Sequence, residues 1–176
     1  LRISGGTPAT GPDASGAFTS TSPVAIPADV TGTVGVVVEG HPAADVDGNG
    51  SVDRIAVTNA VGYLAATGTR TPRRDIVNIK KCDDCHNQLS LHGNNRTDEP
   101  QGCAMCHNPN ATDINRRVAG SACVNTLGAD DAPIDMKYMI HAIHAGEETK
   151  YSACGFGNAP VSYAEVKYPG KLQNCE

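Results

Sequence analysis

Two copies of a five-residue pattern, Cys-x-x-Cys-His, constrain the fold of this chain more than any other feature of its sequence. The first copy ends at His86 and the second at His107. In c-type haem attachment, the two thiols of this pattern form thioethers to the porphyrin, and the adjacent imidazole binds the iron from one side. We therefore expect two covalently bound haems c, with His86 and His107 as their proximal ligands. The predicted thioether cysteines are Cys82, Cys85, Cys103 and Cys106.

The same four cysteines also fit a zinc ribbon. The two Cys-x-x-Cys pairs are separated by 17 residues, and four thiolates at such a spacing suit a tetrahedral zinc ion. A four-thiolate site does not need the His that follows each pair, and His occurs at only six of the 176 positions. The two adjacent His residues therefore favour haem, and a zinc-stabilised binding module remains the structural alternative.

A haem iron with one imidazole has a second axial position, for which three other histidines are candidates. His92 lies between the two attachment motifs. His141 and His144 are three residues apart on a predicted helix, about 60° apart around its axis, so they can face different irons. We expect bis-His, low-potential haems with these three residues as distal ligands. His41 precedes a proline and is expected in a surface turn.

The three candidate distal ligands outnumber the two complete attachment motifs. Cys175 is followed by Glu176, where the sequence ends. This ending fits a third Cys-x-x-Cys-His pattern cut after its second residue. We therefore expect Cys175 to begin the attachment motif of a third haem, which one of the three candidate histidines would serve.

Cys123 and Cys154 lie outside these motifs, on either side of the predicted helix. In an exported haem protein, such a pair is expected to form a disulfide, which would stabilise a loop-rich region by about 3 to 4 kcal/mol in the chain-entropy account. Two free buried thiols are the alternative.

Composition and periodicity predict two parts. Residues 1–77 are expected to form a mainly β domain, a split barrel or a sandwich, with an irregular lead-in over 1–30 and strands over 33–39 and 54–63. Residues 78–176 are expected to be a loop-rich multihaem domain with one or a few short helices, of which 132–145 is the clearest. Aromatic residues are only 4% of the chain and Trp is absent, so we expect porphyrins to fill the core.

An acidic turn lies between the two predicted strands. Asp45, Asp47, Asn49 and Asp53 match the first part of a calcium-binding loop, but Ala56 stands where an EF-hand has its bidentate carboxylate. The Asp-Gly and Asn-Gly pairs are also typical of a plain hairpin turn. The sequence leaves calcium binding and an ion-free turn as two alternatives.

Charge and hydropathy exclude some functions. The chain has 14 Lys and Arg against 19 Asp and Glu, without a basic block, which argues against nucleic acid as a partner. Its longest apolar runs are far shorter than the roughly 20 residues of a membrane-spanning helix. We therefore expect no transmembrane segment in this chain.

The joint pattern resembles the outer-membrane decahaem c-type cytochromes of the OmcA/MtrC family. The resemblance extends over about residues 40–176 and rests on the two attachment motifs, on Leu91-His92-Gly93, on Asn108-Pro109 and on the segment from Met139 to Gly146. It implies a β-barrel domain followed by a pentahaem domain, a unit that repeats in the family. It also implies a protein exported to the outer face of the outer membrane, passing electrons from redox partners to metal oxides or soluble shuttles.

Two functions remain after the haem prediction. An electron carrier needs every iron closed by two axial ligands, and the number of candidate histidines allows this; by the resemblance, such a carrier could also be the terminal metal reductase. A multihaem reductase of a small nitrogen or sulfur compound needs one iron with a vacant position. The sequence favours the electron carrier.

Overall fold

The computed structural model describes residues 10–172, in which every sheet has two strands. The strands are β1 (Thr33–Val38), β2 (Ala43–Ala44), β3 (Asp53–Arg54), β4 (Ala60–Ala65), β5 (Ser90–Leu91), β6 (Arg96–Thr97), β7 (Ser152–Cys154) and β8 (Pro160–Ser162). Strand β1 pairs with β4, β2 with β3, β5 with β6 and β7 with β8. The helices are α1 (Ile79–His86), α2 (Pro100–Cys106), α3 (Ala122–Leu127), α4 (Met136–His144) and α5 (Gly146–Thr149). Small sheets, short helices and loops therefore make up the fold, whereas a split barrel or sandwich stays a prediction.

The described residues fall into two compact units that interleave along the sequence. The first extends to Val36 and includes Gly62–Arg74, and the second comprises Val37–Val61 and the chain from Asp75 onward. Among the described residues, the buried side chains all belong to the second unit: Thr97, Gln101, Ala104, Asp113, Cys123, Ala142, Tyr151 and Cys154. This core is small and contains a single aromatic ring. Because the units interleave, they do not test the boundary at residue 77, which stays a prediction.

The strand predicted over 33–39 is confirmed by β1, but the strand predicted over 54–63 is wrong as one element. Strand β3 ends at Arg54, and β4 begins only at Ala60. Between them, the Asn59 backbone N–H donates to the Thr97 carbonyl at 3.0 Å, and the Asn59 side chain accepts from the Thr97 N–H at 2.8 Å. Backbone groups must find partners wherever they lie, and here the partners belong to β6 rather than to a continuing ladder.

The helix predicted over 132–145 is α4, which begins at Met136. Asp135 caps it, because its carboxylate accepts a hydrogen bond from the Tyr138 N–H at 3.1 Å. Pro133, predicted in the first turn, instead forms an antiparallel bridge with Thr112. The Ile134 N–H donates to the Ala111 carbonyl. These extended pairings delay the start of the helix by four residues.

Helices α1, α2 and α3 are further short helices of the kind expected in the second part, although the sequence analysis did not place them. Each has a recognisable start. Asn78 caps α1, Pro100 is the first residue of α2, and the Ser121 hydroxyl caps α3. In the described part of the chain, none of the helices has the length and apolar character needed to cross a bilayer.

The predicted disulfide is confirmed, since Cys123 and Cys154 are bonded and both are buried. It joins α3 to β7. Beside it, the buried carboxylate of Asp113 accepts hydrogen bonds from the backbone N–H groups of Cys154 at 2.6 Å and Ala132 at 2.7 Å. The bond to Ala132 ties the disulfide region to the loop that leads into α4.

Candidate haem sites

Both attachment motifs lie on helices, which explains their spacing. In α1, Cys82, Cys85 and His86 occupy positions i, i+3 and i+4, so all three lie on one face. In α2, Cys103 and Cys106 repeat this arrangement, and the His107 N–H continues it by donating to the Cys103 carbonyl at 2.9 Å. Each helix therefore presents two thiols and one imidazole to the same side.

The imidazole of His86 faces that of His144 at the end of α4, an arrangement we call site 1. The two ring centroids are 6.1 Å apart and the ring planes are inclined at 79°. The Nδ1–H of His144 donates to the Ile140 carbonyl oxygen at 2.8 Å. This hydrogen bond fixes the tautomer and leaves Nε2 with its lone pair available to a metal.

Site 2 is built in the same way from His107 and His92. Their ring centroids are 6.1 Å apart with an interplanar angle of 39°, and the Nδ1–H of His107 donates to the Ile134 carbonyl oxygen at 2.7 Å. Burial lowers the pKa of His92, and the charges of Arg96 and His107 lower it further. The neutral imidazole, the form that binds metals, is thereby favoured.

A tight turn between β5 and β6 carries His92 towards His107. His92, Gly93 and Asn94 all have positive φ angles, 54°, 67° and 65°. Asn and His tolerate this left-handed conformation better than most residues, and glycine adopts it freely. The Asn94 side-chain amide donates to the Arg54 carbonyl at 2.7 Å and so anchors the turn.

The two imidazole pairs fit a haem iron. Two imidazoles that bind one metal ion from opposite sides, with metal–nitrogen distances of about 2 Å each, have ring centres roughly 6 Å apart. Both pairs have this separation. In each pair, one member follows the two thiols of an attachment motif. The donor sets therefore suit haem c.

The thiols do not fit a zinc ribbon. Within residues 10–172, the one group of three or more His, Cys, Asp or Glu side chains close enough to share a metal ion is acidic and contains no cysteine. Burial also raises the pKa of the Cys82 and Cys103 thiols, whereas zinc binds thiolates. All four motif cysteines are free of disulfides, as thioether attachment requires.

Helix α4 connects the two sites. The Met136 N–H at its start donates to the His107 carbonyl at 3.0 Å, and the nearby Ile134 carbonyl accepts from the His107 ring. His144, at the other end of the helix, belongs to site 1. A nine-residue helix is about 13 Å long, so a single rigid element sets the separation of the two sites.

The sequence matches a family of known proteins. Residues 74–176, more than half of the chain, match the family described as outer membrane cytochrome MtrC/MtrF-like, domains II/IV. The chain belongs to this family. No curated protein matches it. Membership of the MtrC/MtrF-like family confirms the resemblance to OmcA/MtrC cytochromes, and this family consists of outer-membrane cytochromes of electron transport. It also implies haem c as the cofactor in general terms.

The region matched to the MtrC/MtrF-like family contains a third candidate ligand, His141. It is exposed on α4, and its Nδ1–H donates to the Lys137 carbonyl at 2.7 Å. No imidazole among the described residues pairs with it, unlike His144 three residues later. A surface depression beside His141 is lined by Tyr138 and Ala145. Cys175, the predicted start of a third motif, lies outside the described residues.

The acidic turn joins β2 to β3, which confirms a hairpin at this position. Carboxylate oxygens of Asp45, Asp47 and Asp53 lie within 4.8 Å of one another. Asp45 accepts hydrogen bonds from the backbone N–H groups of Gly48 and Gly50, at 2.8 and 2.9 Å, which curl the turn around it. The turn thus brings together three of the four predicted calcium ligands.

The residues that orient the imidazoles of sites 1 and 2 could not be identified from the sequence. The carbonyl of Ile134 and the ring of Tyr168, whose centroid is 5.8 Å from that of His144, have no sequence signature. Asp113 and Arg117, which form a buried ion pair, were missed as well. Their i, i+4 spacing was the available signal.

Proposed function

We propose that this chain carries single electrons through two covalently attached, bis-His haems c. The proposal rests on the two imidazole pairs, His86 with His144 and His92 with His107, whose ring centroids are each 6.1 Å apart. When bound, haem iron alternates between its ferric and ferrous states and supplies one-electron chemistry. The chain's own contribution is to attach the haems, to orient their axial ligands and to enclose them.

The closed coordination favours a carrier over a reductase. An enzyme that reduces a small molecule at iron needs a vacant axial position, and both pairs offer a second imidazole instead. In three of the four rings the geometry is constrained, two by Nδ1–H bonds to carbonyls and His92 by its turn. Rigid ligation keeps the geometry similar in both oxidation states, which suits electron transfer.

His141, which has no imidazole partner among the described residues, supports the presence of a third haem. His141 has its Nδ1–H bonded to a carbonyl, as His107 and His144 do. We propose that it binds a third iron, whose attachment motif begins at Cys175. Because His141 and His144 are on one helix, α4 would then contact three consecutive haems.

Membership of the family supports a proposal for the cellular role. We propose that the chain is part of a conduit on the extracellular face of the outer membrane, where it accepts electrons from other redox proteins. The proposed acceptors are metal oxides or soluble electron shuttles. We also propose that residues 1–77 belong to a β domain of split-barrel type that precedes the multihaem domain.

Measuring haem attachment tests the proposed two-haem electron carrier directly. After export together with the haem-attachment machinery, the intact chain should gain the mass of two haems and show a low-spin, six-coordinate absorption spectrum. A variant with Cys82→Ser and Cys85→Ser should gain one haem, because only α2 then offers thiols. A bare polypeptide mass from the same preparation would contradict the proposal, and a reduced wild-type chain that binds carbon monoxide would favour a reductase.

We also propose that the acidic turn binds calcium weakly. Three carboxylates lie within 4.8 Å of one another there, and extracellular calcium modules bind with dissociation constants of about 10⁻⁴ to 10⁻³ M. Titration calorimetry should detect one calcium ion in this range. Asp47→Asn should weaken binding by removing one charged ligand, while Asp130→Asn, an exposed carboxylate elsewhere, should not. Equal binding by both variants would exclude the turn as the site.

A further inference from the structure

Residues 163–168, which we call the strap, cross the junction between α4 and α5. The Tyr163 N–H donates to the Tyr151 carbonyl at 2.9 Å, and the Glu147 N–H donates to the Val166 carbonyl at 3.2 Å. The side chain of Lys167 lies 3.4 Å from that of Glu147. The strap is therefore fixed to α5 and to the residue Tyr151 beyond it, and α5 directly follows the helix that carries His144.

Gly146 makes this close crossing feasible. It is buried, and a Cβ atom at this position would overlap the carbonyl oxygen of Tyr163 and lie 3.1 Å from the Cβ of Val166. Both obstacles are close to the main chain of the strap, so a flexible side chain could not move aside. Any larger residue at Gly146 has to push the strap outward.

The strap brings the ring of Tyr168 against His144. Their centroids are 5.8 Å apart and their planes are inclined at 80°, the edge-to-face geometry preferred by aromatic pairs. The His144 imidazole is thus held by three groups: the Ile140 carbonyl on its Nδ1, the facing ring of His86, and Tyr168. In the described part of the chain, the site 2 imidazoles have no tyrosine ring against them.

We propose that Tyr168 is a positioning residue that fixes the rotation of the distal imidazole in site 1. The proposal rests on the proposed function, because it assigns His144 to an iron. An imidazole held at a fixed rotation keeps its lone pair aimed at the metal, and second-shell contacts of this kind tune axial ligands. Without the ring edge, His144 can rotate about its side-chain bonds, and its bond to iron weakens.

The test compares Tyr168→Ala with Tyr168→Phe in the haem-loaded chain. Tyr168→Ala should shift the low-spin electron paramagnetic resonance signal and the reduction potential of one haem and leave the other haem unchanged. In the reduced state, the number of haems that bind carbon monoxide should rise from none towards one. Tyr168→Phe keeps the ring edge and should behave like wild type. Gly146→Ala should reproduce the effect of Tyr168→Ala by lifting the strap.

The outcomes separate this inference from the proposed function. Unchanged signals in Tyr168→Ala, in a chain where His144→Ala does open one haem, would overturn the role of Tyr168 alone. If His144→Ala itself leaves both haems low-spin, the ligand assignment fails instead. Equal effects of Phe and Ala at position 168 would also overturn the proposal, since the ring edge is then not the cause. Phe156→Ala, which removes an aromatic ring that is 92% exposed, is the control and should change neither signal.

Discussion

Replacing His144 with alanine should leave one of the two haems five-coordinate and high-spin, while the other keeps its low-spin spectrum. The reason is the pairing in site 1, where His144 faces His86 across 6.1 Å, a separation that one iron atom fills. His92→Ala should have the same effect on the other haem. After reduction, each single variant should bind one carbon monoxide per chain and the double variant two, measured by titration at the Soret band.

Chains with a single haem test the pairing itself. With Cys82→Ser and Cys85→Ser, only site 2 carries a haem, so His92→Ala should open it and His144→Ala should not. With Cys103→Ser and Cys106→Ser, only site 1 carries a haem, so His144→Ala should open it and His92→Ala should not. Should His144→Ala open the haem of the second motif, the pairing proposed here would be wrong even though both haems are present.

His141→Ala is the control for these experiments, because the residue lies on the same helix as His144. Its ring is exposed and pairs with no other imidazole in residues 10–172. The variant should therefore bind no carbon monoxide in a chain with two haems. A high-spin haem in His141→Ala would mean that α4 rotates on haem binding and that His141, not His144, completes site 1.

The candidate haem-attachment residues could be predicted from the sequence, because their local spacing marks them. A thiol at i, a second at i+3 and an imidazole at i+4 lie on one face of a helix, which is how α1 and α2 carry them. The same spacing was a signal for the two helices themselves, together with Asn78 and Pro100 at their starts.

The pairing of distal with proximal imidazoles could not be predicted from the sequence, because it depends on tertiary contacts. His92 and His144 were both predicted as distal ligands, but only the packing of the β5–β6 turn and of α4 decides which proximal imidazole each one faces. Likewise, Asn59 lies in the break within the predicted second strand and bonds to Thr97, a residue 38 positions away. Local patterns do not report such partners.

Replacing Asp113 with asparagine should lower the free energy of unfolding by about 3–5 kcal/mol, the cost of breaking a buried ion pair on one side. Asp113 is 1% exposed. Its two oxygens accept from the Arg117 guanidinium at 3.0 and 2.7 Å and from the N–H groups of Ala132 and Cys154. In asparagine, an NH2 group that cannot accept hydrogen bonds replaces one of these two oxygens, and Arg117 is left buried without a counter-charge.

Denaturant unfolding of the haem-loaded chain, followed by the loss of low-spin ligation, measures this effect. Glu147→Gln is the matched control: its partner Lys167 is 3.4 Å away and both side chains are more than half exposed, so the change should cost at most about 1 kcal/mol. A midpoint for Asp113→Asn that equals the control would show that the buried pair does not hold the disulfide region to α4.

The pH dependence of the free energy of unfolding provides an independent test of the same ion pair. Burial alone would raise the pKa of Asp113, but hydrogen bonds from Arg117, Ala132 and Cys154 outweigh it and hold the pKa below its ordinary value. The folded state therefore binds the proton less readily than the unfolded state, so this stabilisation is present above about pH 4 and is lost as the pH falls through the lowered pKa. Between pH 7 and pH 3 the wild-type chain should lose more stability than Asp113→Asn, and the two unfolding curves should converge. Parallel curves would mean that the carboxylate has the same pKa in the folded and the unfolded state, and a stabilising ion pair with Arg117 would be excluded.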